Sequence, residues 1–493
     1  MLARRHPYTR GVAAYDETLS AAERKRTGAW YTPPELVRHV VAMTISSVTV
    51  GAVVTVLDPA CGDGRFLVEA AARIRALGGI PRLTGADIDV GGLDSAAVTV
   101  DDPIERIHAD SLSYDWADRT FDVVVGNPPF LSQMATATVR KGGSVFGGGP
   151  YADAAADFLA LAAQLARPVG GRIGLVLPLS LLTARDAGPI RKAVAAGAAL
   201  EWFWWSDESV FDATVRTCAI VFERAATSSA VARSNGPSFA PRAAVHRVST
   251  STTNHHWAWL IADAFGLPVL PPLRTNGSMA DRCLVTANFR DQYYGLVGAV
   301  VDSVDPAVGP PLITTGLIDI AACHWGARPT RFAKQSFLAP RVDRSHLAPF
   351  MQRWADRCLV PKVLVATQTR VLEAVADPTG EWLPAVPVIR VVPPDPADVW
   401  PIAALLTSPV ASALIAEQSL GSGLSAATVR VSQRTLGALP WPAGPLDEAV
   451  TSLKAGDIAG CGRAVDVAYG VDARLDVALF EWWWRSAVPG SER

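Results

Sequence analysis

Short apolar runs rich in β-branched and aromatic residues recur through the first half of the chain, at 53–57, 83–86, 121–125, 172–177, 201–205 and 217–222, with a comparable strand at Arg106–His108. Runs this short predict strands buried on both faces. Between the earlier runs the apolar spacing is helical, most clearly over 65–77, directly after Cys61-Gly62-Asp63-Gly64. This alternation predicts an α/β fold built on a doubly wound, Rossmann-like parallel sheet. The pattern lapses at 225–245, a stretch rich in Ala, Ser, Asn and Pro that reads as a linker. The expected organisation is a first domain over 1–224, this linker, and a second domain over 246–493. Five glycines within 141–150 predict a mobile loop. The uncharged run 40–57 is long enough to raise a membrane helix, but its Thr, Ser and Gly content predicts a helix end, a turn and a strand.

Composition narrows this picture. A chain of 493 residues with 49% hydrophobic and 19% charged residues forms two or three cored domains. The formal net charge of −2 excludes a uniformly basic nucleic-acid coat and leaves room for a local basic surface. Six scattered cysteines lack metal or redox-pair spacing, so no metal is expected and the thiols read as reduced. With no apolar signal segment after the basic N-terminus, the expected location is cytoplasmic, away from membranes.

Candidate chemistry begins at Asn127-Pro128-Pro129-Phe130, which follows the run 121–125. Two prolines fix a rigid corner whose carbonyls are free acceptors. Asn127 adds an amide oxygen and Phe130 a flat face. An exocyclic amine on a nucleobase is a poor nucleophile because its lone pair is delocalised into the ring. Acceptors at Asn127 and Pro128 would localise that lone pair while Phe130 stacks on the base. The same four residues also suit an ordinary turn, so their surroundings decide.

Those surroundings are acidic strand ends. Gly62 and Gly64 form a tight loop after the first strand, and Asp58 and Asp63 make it acidic. An acidic loop disfavours a pyrophosphate and suits a ligand with an amino group and no phosphate, such as S-adenosylmethionine. Asp87 ends the second strand where ribose hydroxyls would bind, and Asp110 ends the third within reach of an adenine amine. Each acid alone also suits a helix cap.

Together these segments resemble the gamma class of N-6 adenine-specific DNA methyltransferases, the TaqI-like group. Thr27-Gly28-Ala29-Trp30-Tyr31-Thr32-Pro33-Pro34 resembles motif X, and Asp58-Pro59-Ala60-Cys61-Gly62-Asp63-Gly64 is similar to motif I. Asp87, Asp110 and Asn127-Pro128-Pro129-Phe130 fall at motifs II, III and IV. Later motifs resemble Ala156-Asp157-Phe158, 171–178 and 210–217. The resemblance implies a Rossmann-like S-adenosylmethionine-dependent methyltransferase domain followed by a C-terminal DNA-specificity domain. It implies cofactor contacts from Tyr31, Thr32, Pro33, Asp58, Ala60, Gly62, Gly64, Asp87 and Asp110. Catalysis would fall to Asn127, Pro128, Pro129 and Phe130, with a flipped adenine held between Phe130 and Phe211. Phe130 stands where many of these enzymes have Tyr, which keeps the stacking face. Double-stranded DNA is the implied substrate, in a restriction-modification or phage-defence setting with a nuclease or other defence partner. A DNA-binding subunit without activity, and a methyltransferase for RNA or protein glutamine, are the alternative expectations.

In the second domain, 325–370 carries nine basic residues against Asp343 and Asp356. Phosphate neutralisation is the natural use of such an excess. Arg328, Arg331, Lys334, Arg341, Arg344, Arg353 and Arg357 are the expected DNA contacts, with Trp325, Phe332, Phe337 and Trp354 between them. Trp482-Trp483-Trp484 reads as packing of the C-terminal helix.

Overall fold

The computed structural model describes residues 32–100, 102–130, 144–206, 216–227, 230–246, 256–268, 270, 272–420 and 429–487. Two compact units, Met1–Leu260 and Ile261–Arg493, divide the chain.

The first unit runs α1 (Pro34–Thr44), β1 (Val53–Asp58), α2 (Arg65–Ala76), β2 (Ile80–Asp87), α3 (Val90–Thr99), β3 (Ile104–His108), β4 (Val123–Gly126), α4 (Ala154–Leu165), β5 (Arg172–Pro178), α5 (Gly188–Gly197), β6 (Ala198–Trp205), β7 (Thr217–Arg224), β8 (Ala230–Asn235) and β9 (Ala240–His246). The nine strands form one sheet in the order β3-β2-β1-β4-β5-β7-β6-β8-β9. From β3 to β5 the strands are parallel. β7 then enters antiparallel between β5 and β6, so the sheet is mixed where a parallel one was expected. Chain order reverses at β1, which has β2 on one side and β4 on the other. In such sheets the crevice at that reversal, beyond the carboxyl ends of the strands, is where ligands bind.

The core explains why these runs are apolar. Val56, Val123, Val125 and Val176 of the strands pack with Leu36, Val37, Val40 and Val41 of α1 and with Phe66, Leu67, Ala70 and Ile74 of α2. The helical residues recur at the three-to-four spacing that puts them on one face, and burying each larger side chain contributes about 1.5–3 kcal/mol. The uncharged run 40–57 resolves into the end of α1 and the start of β1. Among the described residues no single helix is long and apolar enough to cross a membrane.

Two expectations about the first unit change. The stretch 225–245 is not a linker, because β8 pairs in parallel with β6 and β9 pairs with β8. Its polar residues misled the reading: Arg233 is buried in the hairpin, donating to the carbonyls of Ala243 and Leu260 at 2.8 Å each. The described part of the glycine-rich stretch, 144–150, is pinned. Ser144 Oγ accepts from Gly148 N at 2.8 Å and bonds Asp157, while Gly149 N donates to the Asp186 carbonyl at 2.8 Å. A Cβ on Gly149 would lie 2.6 Å from Asp186 Cγ, so this glycine serves close packing.

The second unit is built around a four-stranded antiparallel sheet of Leu284–Ala287, Ile389–Val392, Lys362–Val365 and Ala374–Asp377, in that spatial order. Lys362 and Asp377 face each other across two of these strands as a fully buried ion pair. Asp377 also accepts from the backbone N–H groups of Gly380, Glu381 and Trp382 at 3.0–3.1 Å, which offsets part of its desolvation. At the C-terminus, Trp483 is buried and Trp482 donates to the Phe265 carbonyl at 3.1 Å, tying the last helix down.

Candidate functional site

Beyond β1 the chain turns through the glycine loop. Gly62 and Gly64 have φ of +49° and +79°, a left-handed backbone that glycine adopts without steric penalty. The space beside Gly62 is open, with nothing within 4 Å of where a Cβ would sit. Gly62 N donates to Asp87 Oδ2 at 2.8 Å, which ties the loop to the end of β2. Asp87 Oδ1 accepts from Asp89 N at 2.9 Å, and Asp89 caps α3 through Gly91 N.

Asp58 is 1% exposed, and its Oδ1 accepts from Ala60 N at 3.0 Å. Burial holds its carboxyl well above the usual carboxylate range, and repulsion from Asp87 and Asp63 adds to the shift. Burial also raises Asp87, with hydrogen bonds from Asp89 and Gly62 working against it. Two poorly solvated acids beside an open loop would gain from a ligand that brings an amino group and hydroxyl donors. That chemistry fits S-adenosylmethionine. Asp110, after β3, is exposed and caps the next turn through Leu112 N at 3.0 Å. Burial raises the Cys61 thiol from its usual range, and the neighbouring acids add to the shift.

The acidity of the loop is smaller than its letters suggest. Asp63 is held by the Arg65 guanidinium, with Nε to Oδ1 at 3.0 Å and Nη2 to Oδ2 at 2.6 Å. Arg65 also donates from Nη1 to the Thr32 carbonyl at 2.8 Å. Nothing in the motif reading anticipated Arg65. Its signal was a cation at the first position of a helix, where the dipole disfavours positive charge unless an acid compensates.

At the end of β4, Asn127 Nδ2 donates to Thr32 Oγ1 at 3.0 Å. The amide nitrogen therefore turns toward α1 and the amide oxygen the other way. Pro128 is buried, Pro129 and Phe130 are half-buried, and Phe130 packs against the core shared by α1 and α2. β1 and β4 are paired neighbours, so the glycine loop and the corner leave the sheet side by side. Thr32, 2% exposed, joins the corner to Pro33, which precedes α1. Tyr31 and Phe211 lie outside the described residues.

The basic segment divides. Arg341, expected on DNA, is 7% exposed and donates to the carbonyls of Ser303, Val304 and Gly309 while stacking 4.7 Å over Trp325. It is a structural cation, because a flat guanidinium can satisfy several inward-facing carbonyls at once. Arg328 is engaged by Asp319 at 2.6 Å, and Arg344 is paired with Asp356. Arg331, Lys334, Arg353 and Arg357 are exposed, and Lys334 sits in a tight turn with φ of +68°. No ion pair neutralises these four among the described residues.

Comparison with solved structures shows the fold. The chain is similar to the type IIL restriction-modification enzyme MmeI, solved in complex with DNA, at 13% identity over 96% of this chain and 80% of that one, with a TM-score of 0.53. A class I S-adenosylmethionine-dependent methyltransferase from Listeria monocytogenes matches 46% of this chain and 72% of its own at 17% identity and a TM-score of 0.37. The modification subunit of a type I restriction enzyme from Vibrio vulnificus YJ016 matches 48% of this chain at 20% identity and a TM-score of 0.36. The chain spans about half of that subunit's length, 53%. No match was found among curated proteins. Residues 13–236, which include the glycine loop and the Asn127 corner, match the family model described as N-6 DNA Methylase.

Proposed function

We propose that this chain is a DNA methyltransferase that transfers the methyl group of S-adenosylmethionine to the N-6 amine of an adenine flipped out of double-stranded DNA. The observation that carries the reading is the Asn127 corner, set beside the glycine loop with its amide nitrogen turned onto Thr32. That orientation gives the corner an acceptor for an amine hydrogen, and the Pro128 carbonyl is the second acceptor.

Gly62, Gly64, Asp58 and Asp87 would hold S-adenosylmethionine, which supplies an electrophilic methyl on a sulfonium. Asn127 and Pro128 accept the two N-6 hydrogens and localise the lone pair toward the methyl carbon. Bound there, S-adenosylmethionine would give up its methyl as the amine attacks, with the sulfur keeping the electron pair of the broken bond, and the extra proton on the nitrogen would pass to solvent. Phe130, with Phe211 as its expected counterpart, holds the ring plane. Extruding the base costs a few kcal/mol, which DNA contacts must offset. In this reading the second unit is the target-recognition domain, and Arg331, Lys334, Arg353 and Arg357 are its phosphate-facing cations. The similarity to restriction-modification enzymes supports that setting for this chain, with a nuclease or other defence component as partner.

The test is transfer of a tritiated methyl group to double-stranded DNA, with RNA and protein as alternative acceptors and mass analysis of the modified base. N-6-methyladenine supports the reading. Label on RNA or protein, or none in any arm, overturns it. Asn127→Ala should lower transfer by about 100-fold or more while S-adenosylmethionine still binds.

A further inference from the structure

Thr32 was expected beside the cofactor, yet its hydroxyl oxygen receives the Asn127 amide across 95 residues of chain. An amide presents an acceptor at one end and two donors at the other. Only the acceptor end suits a substrate amine, because the reversed amide would place N–H groups against N–H groups. The two ends are nearly the same size, so sterics alone do not choose between them. A partner on the far side anchors the side chain, and in the structure the Thr32 hydroxyl oxygen accepts from Asn127 Nδ2 at 3.0 Å, which leaves the acceptor end turned the other way.

Thr32 is itself held in place. Its carbonyl accepts from Arg65 Nη1 at 2.8 Å, and the other two arms of that guanidinium are fixed by both oxygens of Asp63. All three residues are buried, at 2%, 8% and 3% exposure. On its C-terminal side Thr32 runs into Pro33 and Pro34, whose φ is locked by the ring and which start α1. The chain of contacts Asp63–Arg65–Thr32–Asn127 thus connects the glycine loop to the corner through short polar contacts.

We infer that Thr32 is a positioning residue that anchors the Asn127 amide in the orientation with its acceptor end toward the acceptor base, and that Arg65 and Asp63 hold Thr32 in place to do so. This rests on the methyltransferase reading above. Thr32 does not touch the reacting atoms in this scheme; it acts on turnover through Asn127.

The discriminating substitution is Thr32→Val, which replaces the hydroxyl by a methyl of similar size. Turnover should fall by about 100-fold, the scale of a misplaced catalytic group, while KM for S-adenosylmethionine and the melting temperature stay at their wild-type values. Thr32→Ser, which keeps the oxygen, should restore most of the turnover. Wild-type turnover in Thr32→Val overturns the inference. So does a raised KM for S-adenosylmethionine with turnover intact, which would make Thr32 a cofactor contact. Should Thr32→Val not fold, Thr32→Ala carries the same expectation against Thr32→Ser. A wild-type protein that methylates nothing removes the underlying reading, and the inference with it; an active wild type confines any failure to Thr32.

Discussion

Gly126 and Asp58 meet so closely that a Cβ on Gly126 would lie 2.5 Å from Asp58 Oδ1. The end of β4 is therefore glycine because the end of β1 is a buried acid. Two neighbouring strands share one narrow space, and the corner that follows inherits its position from that fit. Gly126→Ala should displace either the carboxylate or the corner. We expect a loss of stability of about 1–3 kcal/mol, as for overpacking elsewhere, together with loss of methyl transfer. Thermal melting and the transfer assay check this, and wild-type behaviour in both would show that the space is not shared.

The cations of the second unit should behave as two groups. Arg341→Ala leaves three carbonyls without their donor and Trp325 without its stacking partner, so it should lower the unfolding midpoint. Arg331→Ala with Lys334→Ala should leave that midpoint unchanged and weaken DNA binding. The dependence of log affinity on log salt should become shallower by about two phosphate contacts. Binding titrations at several salt concentrations, alongside melting curves, read both effects. The opposite assignment of the two would remove Arg331 and Lys334 from the DNA surface.

Lys362 and Asp377 should be coupled. Burial lowers the Lys362 ammonium from its usual range, and the Asp377 carboxylate opposes that shift. Removing one partner strands the other charge in the core, so Lys362→Met alone should destabilise by about 3–5 kcal/mol. Lys362→Met combined with Asp377→Leu should cost less than the sum of the two single changes. A double-mutant cycle in denaturant measures the coupling, and simple additivity would refute it.

Asp466 sets a pH dependence in the second unit. It is fully buried, accepts from Val410 N at 3.4 Å, and is pushed up to about 8 by burial and by the neighbouring Asp476. Between the usual carboxylate value near ~4 and this raised value, the folded protein keeps the proton while the unfolded chain loses it. The folded state then binds more protons, so stability falls as pH rises through that window and levels off above it. Asp466→Asn removes this contribution. Its unfolding midpoint should gain on the wild type between about pH 5 and pH 8, and a constant difference would show that Asp466 does not titrate there.

How much of this was legible in the chain itself follows from which forces act locally. The strands β1, β2 and β4 to β7 were visible as apolar runs, because burial on both faces demands one wherever the strand sits, whereas β3 lies at the sheet edge and buries only Ile107. The glycine loop and the corner were visible as letters, because left-handed φ and rigid turns restrict residue type at the position itself. β8 and β9 were hidden, since an edge hairpin tolerates polar residues and Arg233 satisfies itself only through carbonyls brought in by folding. The antiparallel entry of β7 was hidden as well, because an apolar run carries no strand direction. The charge pattern misled for a related reason. A cation counts the same in sequence whether it points to water, as Arg331 does, or is enclosed by carbonyls, as Arg341 is. The sequence by itself determined which residues can do the chemistry: an amide, two prolines, an aromatic ring and a row of acids. Only the tertiary structure decided where the Asn127 amide is anchored, since that depends on a hydroxyl 95 residues away, on a residue whose carbonyl Arg65 reaches across 33 residues once α1, α2 and β4 have come together.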